Sequence, residues 1–237
     1  MHREHQVGFA GKADLHIHTC NSDGTASVRE TLEYASTHTR LDAIAVTDHD
    51  TIEGALEAAA LAATYRVDVV VGEEITSREG HILGLFLTNH VPPRLSALET
   101  VAAIHAQGGL AVAAHPFLHA VSHFPDGFQA RMGAGAAIRR VPFDALEVND
   151  AFPGLALANW RLRRANARYC RLPLVGNSDS HVKEVIGGSL TRFPGHAALD
   201  LAAAIRAGQV TPGWRPYGAA QLRVYFAFWR RARRNRG

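Results

Sequence analysis

The chain repeats one hydropathy pattern: a short apolar, β-prone run that ends in polar or ionisable residues, followed by a stretch with helical periodicity. The first run carries Asp14-Leu-His-Ile-His18, where residues two apart share a face of an extended segment and His16 and His18 therefore point together. Ala26 to Thr37 then reads as a helix, with Ser27 as its cap and Val28, Leu32 and Ala35 on one face. Leu41 to Val46 is a strand ending in Thr47-Asp-His-Asp50, and Thr51 to Ala63 is a helix rich in alanine and glutamate. Val67 to Ile75 and Gly80 to Leu87 are strands joined by so short a link that a hairpin is expected between them.

Further along, Ser96 to Gln107 is helical and stops at Gly108-Gly109. Leu110 to Ala114 leads into His115-Pro116, and residues 119–140, broken by Pro125, Gly127, Gly133 and Gly135, read as a loop with a short helix. Phe143 to Val148 is a strand ending in Asn149-Asp150; Leu157 to Tyr169 is a basic helix. Leu172 to Val175 runs into Gly176-Asn-Ser-Asp-Ser-His181. A strand over Gly187 to Phe193 and a helix over His196 to Ala207 follow, and then the pattern fades.

Strands alternating with helices at this spacing predict an α/β fold with a largely parallel sheet. An open sheet gathers its ligands at one switch point, whereas a barrel gathers them from the carboxyl ends of many strands around one mouth. Ligand-type residues follow at least five runs here, which favours the barrel. Neither Gly-x-Gly-x-x-Gly nor the Walker pattern follows any strand.

Length and composition, 237 residues with 47% hydrophobic and 20% charged, fit one globular domain with a small appendage. No apolar stretch has the length of a membrane span and the first residues lack the core of a signal peptide, so a cytoplasmic protein is expected. Cys20 and Cys170 are too few for a disulfide framework and are expected to be reduced. The net charge of +3 is uneven: residues 201–237 hold eight arginines and no acidic residue, which leaves −5 on the rest.

The residues at the strand ends are His16, His18, Asp23, Asp48, His49, Glu73, Glu74, His81, His115, Asp179 and His181. That is more than one catalytic zinc needs. So many imidazoles and carboxylates in one pocket are costly unless divalent ions pair them, and bridging carboxylates make sites of several ions suited to displacement at phosphorus.

The motifs Asp14-Leu-His-Ile-His-Thr19, Ser22-Asp-Gly24, Val46-Thr-Asp-His-Asp50, Gly72-Glu-Glu-Ile-Thr76 with Gly80-His81, Ala114-His-Pro116 and Gly176-Asn-Ser-Asp-Ser-His181 resemble, in order, those of the polymerase-and-histidinol-phosphatase (PHP) superfamily of metal-dependent phosphoesterases. The resemblance covers residues 13 to about 195. It implies a distorted (β/α)7, TIM-like barrel over residues 1–210, with residues 211–237 as a basic, aromatic tail or helix. It implies two or three divalent ions, manganese, iron or zinc. His16, His18, Glu74 and Asp179 would hold the first; Glu74, His81 and His115 the second; Asp23, His49 and His181 the third. Glu73 is the less suitable acid, turned by alternation to the other face of its strand.

The activity implied is hydrolysis of a phosphate monoester of a small metabolite or nucleotide by a metal-activated hydroxide. His49 and His115 are the catalytic candidates beside Asp48, with Asp48 or Asp50 orienting His49 and His115 or a metal-bound water protonating the leaving group. Arg78, Lys183 and Arg192 are candidates for gripping the phosphate. Only 33 residues separate His81 from His115, where nucleotide-hydrolysing relatives often carry a long insertion. A base-gripping cap is therefore in doubt, although His119, His123, Phe124, Phe128 and Arg131 offer material for a smaller lid.

Other histidines, His2, His5, His38, His90, His105 and His196, match no ligand position and are read as surface or structural residues, and the arginines of 161–168 as a solvated helix face. Val224 to Arg236 reads as a last helix packing its aromatics on the barrel, though its arginines also fit nucleic acid. Two alternatives stand beside the phosphatase: a metal-dependent exonuclease acting on RNA or DNA ends, helped by the basic tail, and a non-catalytic binding module of the same fold.

Overall fold

A computed structural model of the chain describes residues 8–123 and 128–234. Strand β1 (Gly11–Ile17) is followed by helix α1 (Val28–His38), β2 (Ala43–Val46), α2 (Glu53–Leu61) and β3 (Asp68–Ser77). These three strands are parallel neighbours, as expected where each crossover is a helix. Helix α1 starts in a capping box: the Ser27 hydroxyl accepts from the Glu30 amide, and the Glu30 carboxylate accepts from the Ser27 amide. Its buried face is Val28, Thr31, Leu32 and Ala35.

The hairpin expected after β3 is present. β4 (Gly80–Leu85) runs antiparallel to it with Ser77 opposite Gly80, and Gly80, at φ 143°, makes the reversal. Helix α3 (Ala97–Ala106) leads to β5 (Leu110–Ala113), again antiparallel to β4. The predicted loop with a short helix at 119–140 holds instead a small hairpin, β6 (Val121–His123) with β7 (Gln129–Arg131), separate from the main sheet. Phe124 lies outside the described residues, and the Arg94 guanidinium covers the Phe128 ring at 4.8 Å.

Strand β8 (Ala145–Val148) is parallel to β5, and helix α4 (Ala156–Ala165) runs on through a single π-turn, Asn166–Cys170, to Arg171 at φ 54°. Next come β9 (Leu174–Gly176), β10 (Ser189–Phe193), α5 (Ala198–Arg206), β11 (Thr211–Trp214) and α6 (Ala219–Arg234). The nine strands form one sheet in the order β11-β10-β1-β2-β3-β4-β5-β8-β9. The result is a nearly closed, distorted barrel rather than seven regular βα units, because β4 and β10 run against the other strands and β11 joins the sheet only through β10. β11 lies beyond residue 210 yet pairs with β10 in this sheet.

Closure at the seam runs through a side chain. The Thr191 hydroxyl donates to the Gly176 carbonyl at 3.0 Å and accepts from its amide at 3.1 Å. Gly176 is needed there because a Cβ would run into the Leu190 carbonyl and crowd Pro212.

Two apolar layers follow from the alternation. Ala13, Leu15, Ala45, Leu83, Leu85, Val112, Ala145, Val175 and Phe193 fill the inside together with Leu201 and Ile205 of α5. Ile44, Val46, Ile75, Ile82, Ala113 and Val148 pack outward against α1 to α4. Helix α5 begins at the amino ends of β2 and β3, where the Ala198 amide donates to Asp68 and the His196 ring bonds Asp42. It closes that end of the barrel and leaves the carboxyl ends for the site.

Candidate metal centre

Strand β1 contributes His16 and His18 only because its facing changes. Ala13 and Leu15 belong to the inner layer but Ile17 to the outer one, and the register of β1 against β2 shifts between Asp14 and Ile17. The shift brings both imidazoles to the mouth, a use to which irregularities beside active sites are often put. Plain alternation delivers the others: Glu74 lies four residues beyond inner Val70, and His81 two before inner Leu83. Glu73 faces the other way, as expected, and bonds the His90 ring and the Val91 amide. His115 and Asp179 sit just past their strands at φ 28° and 51°, positions side-chain-bearing residues hold only when their surroundings enforce them.

These residues converge. Glu74 stands at the centre with five imidazoles around its carboxylate: His16 at 3.1 Å, His18 at 3.3 Å and His49 at 3.1 Å from Oε2, His81 at 2.9 Å and His115 at 3.0 Å from Oε1. Asp179 Oδ1 lies 3.4 Å from His16 Nε2 and 3.3 Å from His18 Nε2. Asp23 Oδ1 is 3.2 Å from His181 Nε2 and 3.9 Å from His49 Nε2. All nine predicted ligands are therefore in one cluster. They form four overlapping groups whose ligand atoms lie within 4.8 Å of one another: His18, Asp23, His49, His181; His16, Glu74, His115; His16, His18, Asp179; and His49, Glu74, His81. The overlap ties His49 to Glu74 as well as to Asp23, so it stands between the second and third sets inferred from sequence.

Electrostatics and unmet valences both fit divalent cations. Burial opposes a charged His16, yet the carboxylates of Glu147, Glu74 and Asp179 outweigh it and raise its pKa. His18 is likewise pushed up to about 10, against its burial, by Asp179 and Glu74. Glu74 and Asp179 are held below the usual carboxylate range, because the surrounding imidazoles outweigh their burial. Burial pushes His49 down to about 3. Buried His18 Nδ1 and His115 Nδ1 have no hydrogen-bond partner, and Glu74 Oε2 has none of good geometry despite the three ring nitrogens around it, although such atoms rarely go unmatched. Cations among them supply the missing partner and neutralise the acids.

Glu147 is a residue the sequence reading missed. It is buried at the inner face of β8, and its carboxylate bonds His16 Nδ1 at 2.8 Å, the His115 amide at 2.8 Å and Asn177 Nδ2 at 3.0 Å. It thereby fixes the ring of His16 with Nε2 toward Glu74 and Asp179, the part a carboxylate behind a ligating histidine plays. The signal was available: in Ala145-Leu-Glu-Val148, position 147 shares the face of inner Ala145.

Asp48 is placed otherwise than expected. Its carboxylate accepts from the Thr19 amide at 2.8 Å, the Thr19 hydroxyl at 2.7 Å and the Ser22 hydroxyl at 2.6 Å, so it clamps the 19–22 loop that carries Asp23. Asp50 accepts from the Thr76 amide at 2.7 Å. Both acids brace backbone, and orienting His49 is not among these contacts.

The three phosphate candidates stay outside the cluster. Arg78 is exposed beyond the end of β3, near Glu99. Lys183 pairs with Glu30 at 3.2 Å in a groove lined also by Arg29, Tyr34, His38 and Tyr65. Arg192 is on the exposed outer face of β10, between buried Thr191 and Phe193. Of the remaining histidines, His38 stacks on Tyr34, His105 bonds Asp144 and His196 bonds Asp42, all structural contacts; His2 and His5 lie outside the described residues.

The sequence profile of the PHP domain matches residues 14–140, more than half of the chain, and that of a PHP-associated region matches residues 157–210. The chain belongs to the PHP family. A protein of Methanocaldococcus jannaschii is 42% identical over 117 residues, 45% of this chain and 68% of that protein. The 5′-3′ exoribonuclease of Haemophilus influenzae is 39% identical over 92 residues, 37% of this chain but only 32% of the exoribonuclease. Among solved structures, a two-domain protein of Bacteroides vulgatus containing a predicted PHP-like metal-dependent phosphoesterase superposes with a TM-score of 0.64. It is 18% identical, with 86% of this chain and 64% of that one covered, a likeness of fold. Among the described residues no helix is long and apolar enough to cross a membrane.

Proposed function

We propose that this PHP-family chain is a metal-dependent phosphoester hydrolase that removes a terminal phosphate from a small phosphorylated metabolite or nucleotide. The observation that carries the reading is Glu74, one buried carboxylate shared by five imidazoles, which is the arrangement of a bridging ligand. His16, His18, Glu74 and Asp179 would hold one divalent ion, Glu74 with His81 and His115 a second, and Asp23, His49 and His181 a third. Such ions supply Lewis-acid charge to the phosphoryl oxygens and lower the pKa of water. Imidazole and carboxylate donors suit manganese, iron and zinc.

The chain's own residues set the direction of approach. His16, His18 and Glu74 form a buried floor, while Asp23 and His49 are 43% and 24% exposed and make the open side. A phosphate arriving there meets His49 and Asp23 first, with His181 and His115 buried behind them.

A second reading, release of nucleotides from the end of a strand, draws on the local similarity to the exoribonuclease and on the arginine-rich surface beside the site. One experiment separates the two: manganese-loaded protein incubated with a short 5′-phosphorylated oligonucleotide and a panel of phosphorylated metabolites, beside a His49→Ala control. Inorganic phosphate without chain shortening is the expected product; mononucleotides would establish the nuclease. No turnover of any substrate at full metal occupancy would sink both and leave the non-catalytic module.

A further inference from the structure

Helix α4 and the π-turn that extends it carry five arginines and no acidic residue over 156–171, whereas an ordinary solvated helix face interleaves both signs. Arg163 is committed to Asp150, which both of its terminal nitrogens contact. Arg161, Arg164 and Arg168 remain exposed at i, i+3 and i+7, one stripe along the helix.

Aromatic rings stand among these charges. Trp160 is 57% exposed and Tyr169 51%, with the Arg164 guanidinium over Trp160 at 5.8 Å. Arg139 and Arg168 lie over Tyr169 at 4.5 and 5.3 Å. Large rings left half in water and lined with guanidinium groups form a surface on which flat bases stack while phosphates pair with the arginines.

The stripe begins at the mouth of the metal centre. Asn159 donates to the Asn149 carbonyl, just past the strand that holds Glu147, and Arg161 Nη1 is 3.5 Å from His119 Nε2, four residues beyond His115. We propose that the face of α4 formed by Trp160, Arg161, Arg164, Arg168 and Tyr169, with Arg139 beside it, is a platform for single-stranded nucleic acid that directs a strand end into the centre. Charge alone fits any polyanion; the exposed rings select one with free bases. The proposal rests on the phosphoesterase reading only for what happens to that end, not for the binding.

The test is fluorescence anisotropy of 3′-fluorescein 12-mers of uridine and of thymidine, titrated with the full chain at rising salt, first in chelator so that no strand is cut and then with manganese. With about four phosphates neutralised, one for each arginine of the platform, log affinity should fall against log salt with a slope of about −2.8. The triple variant Arg161→Gln, Arg164→Gln, Arg168→Gln should flatten that slope by about 2. Trp160→Ala with Tyr169→Ala should weaken binding at least tenfold at unchanged slope. These side chains are exposed, so circular dichroism and hydrolysis of a small chromogenic phosphate ester should match the parent protein. Equal affinity for a 12-base-pair duplex, binding unaffected by either variant, or the same losses seen only on phosphatidylserine vesicles would overturn the proposal. A parent protein that binds strands as described but hydrolyses no ester would uphold the platform and sink the hydrolase reading alone.

Discussion

At the scale of single residues, Glu147 decides how well His16 can serve. Replacing it by Gln removes the charge behind the Nδ1 hydrogen bond while keeping nearly the same shape, so the imidazole loses basicity and a fixed orientation. Metal affinity should fall about 10- to 100-fold, read by competition with a chromophoric chelator, with the circular dichroism spectrum unchanged. Unaltered affinity would show that His16 needs no such support.

The same cluster sets a pH dependence. In the metal-free chain His16, His18 and His115 are raised, His18 to about 10, so at neutral pH incoming ions must displace protons. Affinity should therefore climb with pH, about tenfold per unit for each proton displaced, when titrated at pH 6, 7 and 8. Stability without metal runs the other way for His18: a raised pKa stabilises fully below its ordinary 6.5 and is lost as pH rises toward about 10. Alkali should lower the melting temperature of the chelator-treated protein more than that of the loaded one.

Among the elements, Ser27→Ala removes the capping hydroxyl of α1 and should cost about 1 kcal/mol. For a chain of this size that is a fall of roughly 2–4 °C in Tm, with hydrolysis unchanged. What was legible in the sequence at this scale followed from strong periodicity: β1 to β5 and α1 to α3 lie where apolar alternation and caps place them, including the hairpin without a helix. The nine residues that cluster were legible as well, because they stand in contiguous motifs. Less was visible where tertiary contacts decide. β6, β7 and β11 are three or four residues long, and β11 includes Pro212, which suits an edge strand and erases the strand pattern. Arg192 and Lys183 were chosen for nearness in the chain to ligands, but alternation turns Arg192 outward and Glu30 of α1 captures Lys183. Asp48 flanks His49 in sequence, yet loop amides and hydroxyls compete for its carboxylate.

For the whole molecule, α6 had only a faint signal, and the structure docks it on the site side. Tyr225 is buried among Ala151, Val182, Val185 and Tyr217, and the Phe228 ring lies 5.2 Å from that of His181. Releasing the helix with Tyr225→Ala should cost about 3–5 kcal/mol of its docking and let the chain at the already exposed Arg223 and Arg230 unwind into limited trypsin digestion before the barrel is cut. At the seam, Gly176→Ala drives a methyl into the Leu190 carbonyl and should destabilise the fold by about 1–3 kcal/mol, visible in urea unfolding.

That seam also fixes when the candidate metal centre can be completed. His16 and His18 come from its first strand, and their partners Asp179 and His181 follow its ninth, more than 160 residues later. A growing polypeptide has seven of the nine clustered residues once His115 is made but lacks Asp179 and His181 until more than 60 further residues have been added. Throughout that interval the histidines belong to no complete site, and the cluster cannot take up its full set of ions before β9 and the loop after it have been made.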